Sequence, residues 1–193
     1  MIKSNQLVLD LPFRTALGRA EFFVTQSNEE AIAWLDLWPD WPGPAIFLHG
    51  PEGCGKSHLI RVWCTRSEAV VIKPAQLTIA AVPEIAGYGS VALDQADQIV
   101  EHEPLLHLYN LLREQGGFLL LACRTPPRQL RIPLADLHSR LLAAQAVRVL
   151  PPDDRLLIAV MAKLFSDRQV RVGQDVLAFL VARIERSFAA AER

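Results

Sequence analysis

The sequence predicts an α/β protein built on a five-stranded parallel sheet covered by helices on both sides. Short aliphatic runs that do not alternate, the mark of strands buried on both faces, recur along the chain. Segments with helical apolar spacing separate them, in the β-α-β-α-β order that parallel pairing requires. A glycine-rich loop, Gly50-Pro-Glu-Gly-Cys-Gly-Lys56-Ser57, joins one such run to one such helix.

Taken in order, Ser27-Asn28-Glu29-Glu30 is an N-cap signature for a helix to about Leu37, and Trp38-Pro-Asp-Trp-Pro-Gly-Pro44 is a turn-rich connector. Strands are expected at 45–49, 69–72, 91–94, 118–122 and 146–150, and helices at 56–67, 104–115 and 134–144. After Pro151-Pro152 the strand signals stop. Asp153 and Asp154 open a helix over 154–168, Gly173 and Asp175 introduce another through Ile184, and a third starts near Glu185. The expected organisation is therefore an extended arm over 1–14, an αβα core over 15–151 and a small helical lid over 152–193. Because Glu192-Arg193 falls within a helix and lacks a C-cap, the lid is expected to be incomplete.

Composition fits one domain with an appendage: 193 residues, 51% hydrophobic and 21% charged, supply a sizeable core. The net charge of −1 divides unevenly, with 8 basic and 14 acidic side chains in 1–123 against 12 and 7 in 124–193. That positive end is too modest for a nucleic-acid arm, so strong direct nucleic-acid binding is not expected. Cys54, Cys64 and Cys123, an odd number without paired spacing, read as free thiols in a reducing compartment. The N-terminus lacks a secretory apolar region and no apolar run nears the ~18–20 residues of a membrane span, so a cytoplasmic protein is expected.

The loop fits G-x-x-x-x-G-K-[ST] at every fixed position, directly after a strand and opening a helix. Glycines let backbone N–H groups turn inward around phosphate oxygens, and the helix N-terminus adds positive potential. Gly50, Pro51, Glu52, Gly53, Cys54, Gly55, Lys56 and Ser57 are thus candidate nucleotide-binding residues, with Lys56 on the β/γ-phosphates and Ser57 on Mg²⁺. His58 follows in the helix and is read as packing or hydrogen bonding on the phosphate side. Asp94, ending another buried strand, is the second candidate Mg²⁺ ligand. The next position, where a hydrolysing enzyme carries a second carboxylate, is Gln95, which can hydrogen-bond but cannot act as a base. Weak intrinsic hydrolysis is expected. Asp97 is read as solvated or capping, and Trp34, Trp38 and Trp41 as core or as packing on the adenine side.

The phosphate loop, the Asp94 strand, Leu119-Leu-Leu-Ala-Cys-Arg-Thr-Pro-Pro-Arg-Gln-Leu130 and Leu134-Ala-Asp-Leu-His-Ser-Arg140-Leu together resemble the DnaA branch of the AAA+ ATPases, and within it the DnaA-homologous regulators. The resemblance covers nearly the whole chain. It implies an AAA+ core with a helical lid, ADP or ATP with Mg²⁺ bound between them, and head-to-tail assembly, a homo-oligomer included. Phe22-Phe-Val-Thr-Gln-Ser-Asn28 is similar to the segment that embraces the adenine in that family.

Gln6-Leu7-Val8-Leu9-Asp10-Leu11 resembles the sliding-clamp-binding motif of the regulators. An extended arm can lay Leu7, Leu9 and Leu11 into an apolar groove while the Gln6 amide bonds at its rim; an alternating strand on this protein's own sheet edge is the other reading. The resemblance places Arg140 at the arginine finger that acts in trans on a γ-phosphate held by DnaA; a solvated helix arginine is the plain alternative. Ala122-Cys123-Arg124 departs from the polar or acidic residues usual on the sensor strand, and Arg186 or Ala189 is the candidate second sensor. Taken together, the resemblance implies a regulator of replication initiation that docks on the clamp and stimulates ATP hydrolysis by DnaA. An ATPase of the helicase-loader or DnaA-like initiator type is the rival expectation.

Overall fold

The computed structural model describes residues 13–14 and 22–192. The elements are β1 (Phe13–Arg14), β2 (Phe22–Phe23), α1 (Glu29–Asp36), β3 (Ala45–His49), α2 (Lys56–Ser67), β4 (Val70–Ile72), α3 (Val82–Ala86), β5 (Ser90–Leu93), α4 (Glu103–Gln115), β6 (Phe118–Cys123), α5 (Ala135–Ala143), β7 (Gln145–Arg148), α6 (Asp154–Asp167), α7 (Gln174–Val181) and α8 (Phe188–Glu192). Five strands form one sheet in the order β4-β5-β6-β3-β7, every neighbouring pair parallel. β1 and β2 form a separate antiparallel ribbon.

Side chains of successive strand residues point to opposite faces, and β3, β5, β6 and β7 send apolar side chains to two cores, whereas the edge strand β4 feeds one and leaves Val71 exposed. Phe47, Leu93, Leu119 and Leu121 meet α3, α4 and α5 on one side. Ile46, Leu48, Ala92 and Leu120 meet α1 and α2 on the other. Trp41 stacks on Trp63 of α2 at 5.3 Å, with Trp38 and Phe118 edge-on to them. The tryptophans of the connector therefore belong to the core, where aromatic area buries most per residue. A third, smaller core of Leu157, Met161, Leu177 and Val181 holds α6 and α7 together.

The α/β class, the five strands and the three core helices agree with the sequence reading to within a residue or two. The differences have local causes. The ribbon β1–β2 and the five-residue α3, which opens on Val82-Pro83, are too short to show a period. Asn28 stands at the N-cap of α1 but makes no cap bond. Its amide instead accepts from the Thr25 N–H and donates to the Phe23 carbonyl, both at 2.9 Å, tying β2 to the start of the helix. The second lid helix closes at Val181, short of Ile184, because Arg183 and Ile184 both bond back to the Leu180 carbonyl. The third begins at Phe188 because Ser187 caps it, its hydroxyl accepting from the Ala190 N–H at 3.1 Å. No helix among the described residues is long and apolar enough to cross a membrane.

Leu120 is fully buried on the central strand β6, so truncation leaves a void the sheet cannot close. Leu120→Ala is expected to lower unfolding free energy by about 2–5 kcal/mol, read as a reduced urea midpoint at unchanged slope.

Candidate functional site

All five sheet strands end on the same edge, and the loop after β3 lies there between its two neighbours, β6 and β7. In open parallel sheets this carboxyl edge is where ligands bind. Gly50 is buried, its N–H donating to the Cys123 carbonyl at 3.3 Å. Gly53 and Gly55 then take φ of +73° and +100°, a backbone that side chains rarely adopt. A β-carbon on Gly53 would meet Ser187, and one on Gly55 the Phe188 ring at 2.7 Å, so the lid rests directly on the loop. The Phe188 N–H donates to the Gly53 carbonyl at 3.0 Å and fastens that contact.

α2 starts at Lys56 with no acidic residue in its first turn, leaving its N-terminal N–H groups and dipole to face the loop uncompensated. The Lys56 ammonium donates to the Gly50 and Pro51 carbonyls, each at 2.7 Å, and lies 3.6 Å from the Cys54 sulfur. The Ser57 hydroxyl donates to Asp94 Oδ2 at 2.7 Å. Asp94 Oδ1 accepts from the Gln95 N–H at 2.9 Å, with Gln95 itself in the left-handed region at φ 58°. Two oxygen donors from different elements are thus held side by side, the hard-ligand chemistry that suits Mg²⁺.

Between core and lid lies a cleft of about 500 Å³. Glu52, Gly53, Gly55, Lys56, Ser57, His58, Asp94 and Gln95 line it, as the motif reading expects. Gly50 and Pro51 contribute carbonyls to Lys56 and do not line it, while Cys54 is buried beneath the loop. From the segment before α1 come Phe23 and Asn28, and from α6 come Leu156, Val160, Lys163 and Leu164, one face at helical spacing. Phe188 and Ala189 close the lid side. An apolar lid wall over a polar loop suits a nucleotide, with the base toward the lid and phosphates toward Lys56.

Two expectations change. Asp97, read as solvated or capping, is only 20% exposed, lines the cleft and stands 4.0 Å from the Arg124 guanidinium. Arg186 does not reach the cleft: it pairs with Asp154 at 3.0 Å and lines a separate groove beside α1, because the turn before α8 sends it outward and sends Phe188 and Ala189 inward. Arg140 lies outside the cleft and is partly covered, its Nε and Nη2 both donating to Asp136 at 3.0 Å and its guanidinium 5.6 Å from the Tyr109 ring. Arg124, which the strand motif left unexplained, reaches Glu52 of the loop at 3.1 Å. Its position just past β6, the strand beside β3, was the available signal. Gln6, Leu7, Leu9 and Leu11 lie outside the described residues.

Burial pushes the Cys54 and Cys123 thiols up, Lys56 pulling back on both, and pushes Cys64 up to about 11. His49, ending β3, is held below its ordinary 6.5 by burial and then by the cations Arg148, Arg128 and Lys56.

No family model matches the chain. Solved structures do. A DNA replication initiation factor is 17% identical with TM-score 0.76, over 89% of this chain and 60% of that one. AMPPCP-bound DnaA from Aquifex aeolicus is 18% identical with TM-score 0.70, over 89% and 61%. Domain III of Thermotoga maritima DnaA, also a replication initiation protein, is 18% identical with TM-score 0.71, over 89% and 82%. The fold is thus the AAA+ P-loop NTPase fold of DnaA-like proteins. The chain spans about 60% of the length of the first two of these structures.

A depressed histidine binds its proton more readily when unfolded, so His49 withdraws stability as pH falls below its ordinary 6.5. His49→Gln is expected to lessen the fall in urea midpoint between about pH 7.5 and about pH 5.5. An unchanged fall would mean that other groups carry the acid sensitivity.

Proposed function

We propose that this chain is an adenine-nucleotide-binding AAA+ regulator of replication initiation, of the kind known as Hda, which docks on the sliding clamp and stimulates ATP hydrolysis by DnaA. The observation that carries the nucleotide half is the Ser57–Asp94 pair beside a left-handed glycine loop at the sheet's carboxyl edge. On this reading Lys56 holds the β/γ-phosphates, Ser57 and Asp94 hold Mg²⁺, and Phe23, Asn28 and the α6 face surround the base. Bound nucleotide and metal would supply charge that fixes the loop and joins lid to core.

The regulatory half rests on what the site lacks and on what lies outside it. Gln95 follows Asp94 where a proton-accepting carboxylate would serve hydrolysis, so this chain's own turnover should be slow. Arg140, away from the chain's own cleft, suits a finger that completes a neighbour's site. Its fork is engaged by Asp136, more than half exposed, and such surface pairs are worth only about 0–1 kcal/mol. A γ-phosphate on DnaA can therefore claim the guanidinium. Gln6, Leu7, Leu9 and Leu11 would bring the protein to the DNA-loaded clamp. The fold likeness to DnaA itself favours one rival, an initiator that hydrolyses its own ATP.

Surface plasmon resonance against purified bacterial sliding clamp tests the docking. The native chain is expected to bind and a Gln6, Leu7 and Leu9 triple alanine variant to lose binding; no binding by the native chain overturns the clamp reading. With clamp on DNA, the native chain is expected to accelerate ATP hydrolysis by DnaA, and Arg140→Ala to lose that stimulation by roughly a hundredfold or more. Fast turnover by the chain alone, insensitive to Arg140→Ala, would favour the initiator.

A further inference from the structure

The segment before α1 has two sides. Phe23 and Asn28 face the cleft, while Val24, Thr25 and Gln26 line a second groove, of about 1090 Å³, between α1 and the start of α6. α6 divides in the same way, with Leu156 in the cleft and Asp153, Asp154 and Arg155 in the groove. The groove thus bridges core and lid, and it is larger than the roughly 300–1,000 Å³ of small-molecule pockets, with room for several residues of a peptide.

Its charge is mostly negative, and the fold uses only part of it. The Asp153 carboxylate accepts from the Leu156 N–H at 2.8 Å and caps α6, and Asp154 pairs with Arg186 at 3.0 Å. Glu29 and Glu30 stand in the first turn of α1, where the helix dipole favours them. Asp36 has no such reason to be there: it sits in the last turn of α1, where the dipole opposes a carboxylate, and no basic residue shares that turn. Arg66 donates to the Asp36 backbone carbonyl at 3.0 Å and not to its carboxylate. Among the described residues, none of Glu29, Glu30 and Asp36 has an ion-pair partner.

These carboxylates do not converge on one ion, since no group of His, Cys, Asp and Glu among the described residues could hold a metal. Glu29 and Asp36 lie about 10 Å apart along α1. Between them the floor is apolar, with Ile32 buried and Ala33 exposed. In an extended polyproline II chain, side chains three residues apart face the same way at a separation of about 9 Å. Spaced cations on one extended chain therefore match these acids better than a single compact ion does.

We infer that the groove between α1 and α6 is a docking site for a basic, extended segment of a partner protein with Lys or Arg at every third position. One cation lies against Glu29 and Glu30 and the next against Asp36, with the intervening apolar side chains over Val24 and Ala33. The inference stands apart from the nucleotide reading, because neither Lys56, Ser57 nor Asp94 lines this groove.

Fluorescence anisotropy tests it, with a labelled peptide carrying arginine at every third position and valine and alanine between, and a control of the same composition whose arginines are adjacent. The native chain is expected to bind the spaced peptide more tightly. Asp36→Asn is expected to weaken that binding roughly two- to fivefold, and Glu29→Gln, Glu30→Gln and Asp36→Asn together roughly tenfold or more. Glu114→Gln, at an exposed acid of α4 on the opposite face of the sheet, is expected to change nothing. Asp36→Asn removes a conflict with the helix dipole, so its urea midpoint is expected to stay at the native value or rise, which separates lost docking from lost folding. Equal binding of the two peptides, binding of neither, or spaced-peptide binding that the triple variant leaves unchanged overturns the inference. If the triple variant fails to fold, Asp36→Asn decides, and an unchanged Kd overturns it. Sedimentation velocity is expected to give the native chain and the triple variant the same oligomeric state; self-association that the triple variant abolishes would assign the groove to a second copy of this chain and overturn the peptide reading.

Discussion

The contact between the lid and the phosphate loop is the constraint on which the site depends. Ser187 and Phe188 sit where β-carbons of Gly53 and Gly55 would be, and the Phe188 N–H is bonded to the Gly53 carbonyl. The two glycines therefore answer two demands at once: a left-handed backbone and a surface flat enough for the lid to lie on. The helices α6 and α7 share a small core of their own, so the lid is one packed unit whose position depends on what fastens it to the sheet. That fastening is here the loop, and the cleft lies between the lid and the loop, with Phe23 and Asn28 also on its wall. The tie between Asn28 and both Phe23 and Thr25 fixes the second wall in the same way.

Much of this arrangement was readable in the residues, for reasons that differ by element. β3 and α2 fall where expected because a buried aliphatic run and a helix start are welded together by a loop whose residue types have few other uses. The inner strands β3, β5 and β6 were readable because burial on both faces leaves no alternation to misread, and the edge strands β4 and β7 because short β-branched or aliphatic runs flank helix-period segments. The N-cap of α1 falls at Asn28, within the expected signature, but a polar residue before a helix has several partners within reach, and the Asn28 side chain bonds upstream in place of a cap bond. Arg186 was misplaced for a related reason. Helix α8 begins at Phe188 and not near Glu185; the Ser187 cap and the Phe188 N–H bond to the Gly53 carbonyl put Phe188 on the loop, while Arg186 pairs with Asp154.

The acids of the cleft are organised by the turn after β5. Gln95 adopts the left-handed conformation, which turns its N–H back onto Asp94 while Ser57 takes the other carboxylate oxygen. The same reversal carries the chain round so that Asp97 approaches Arg124 three residues later, which residue spacing along an extended strand would not suggest. Cys123 lies beside this group, and its thiol is pushed up first by burial and then by the charge of Asp97.

Arg124 and Arg140 stand in opposite relations to the cleft, and that contrast organises the proposed function. Arg124 lines the cleft, between the exposed Glu52 and the largely covered Asp97. Arg140 is outside it, on a helix whose buried face is Leu137 and Leu141, held by Asp136 one turn earlier. A guanidinium within the cleft can contact what this chain binds; one beyond it can reach only another molecule. Gln95 completes the division, since an amide beside Asp94 orients water without taking its proton. On the proposed function, a chain built this way would turn over its own nucleotide slowly and offer Arg140 to a neighbour's site.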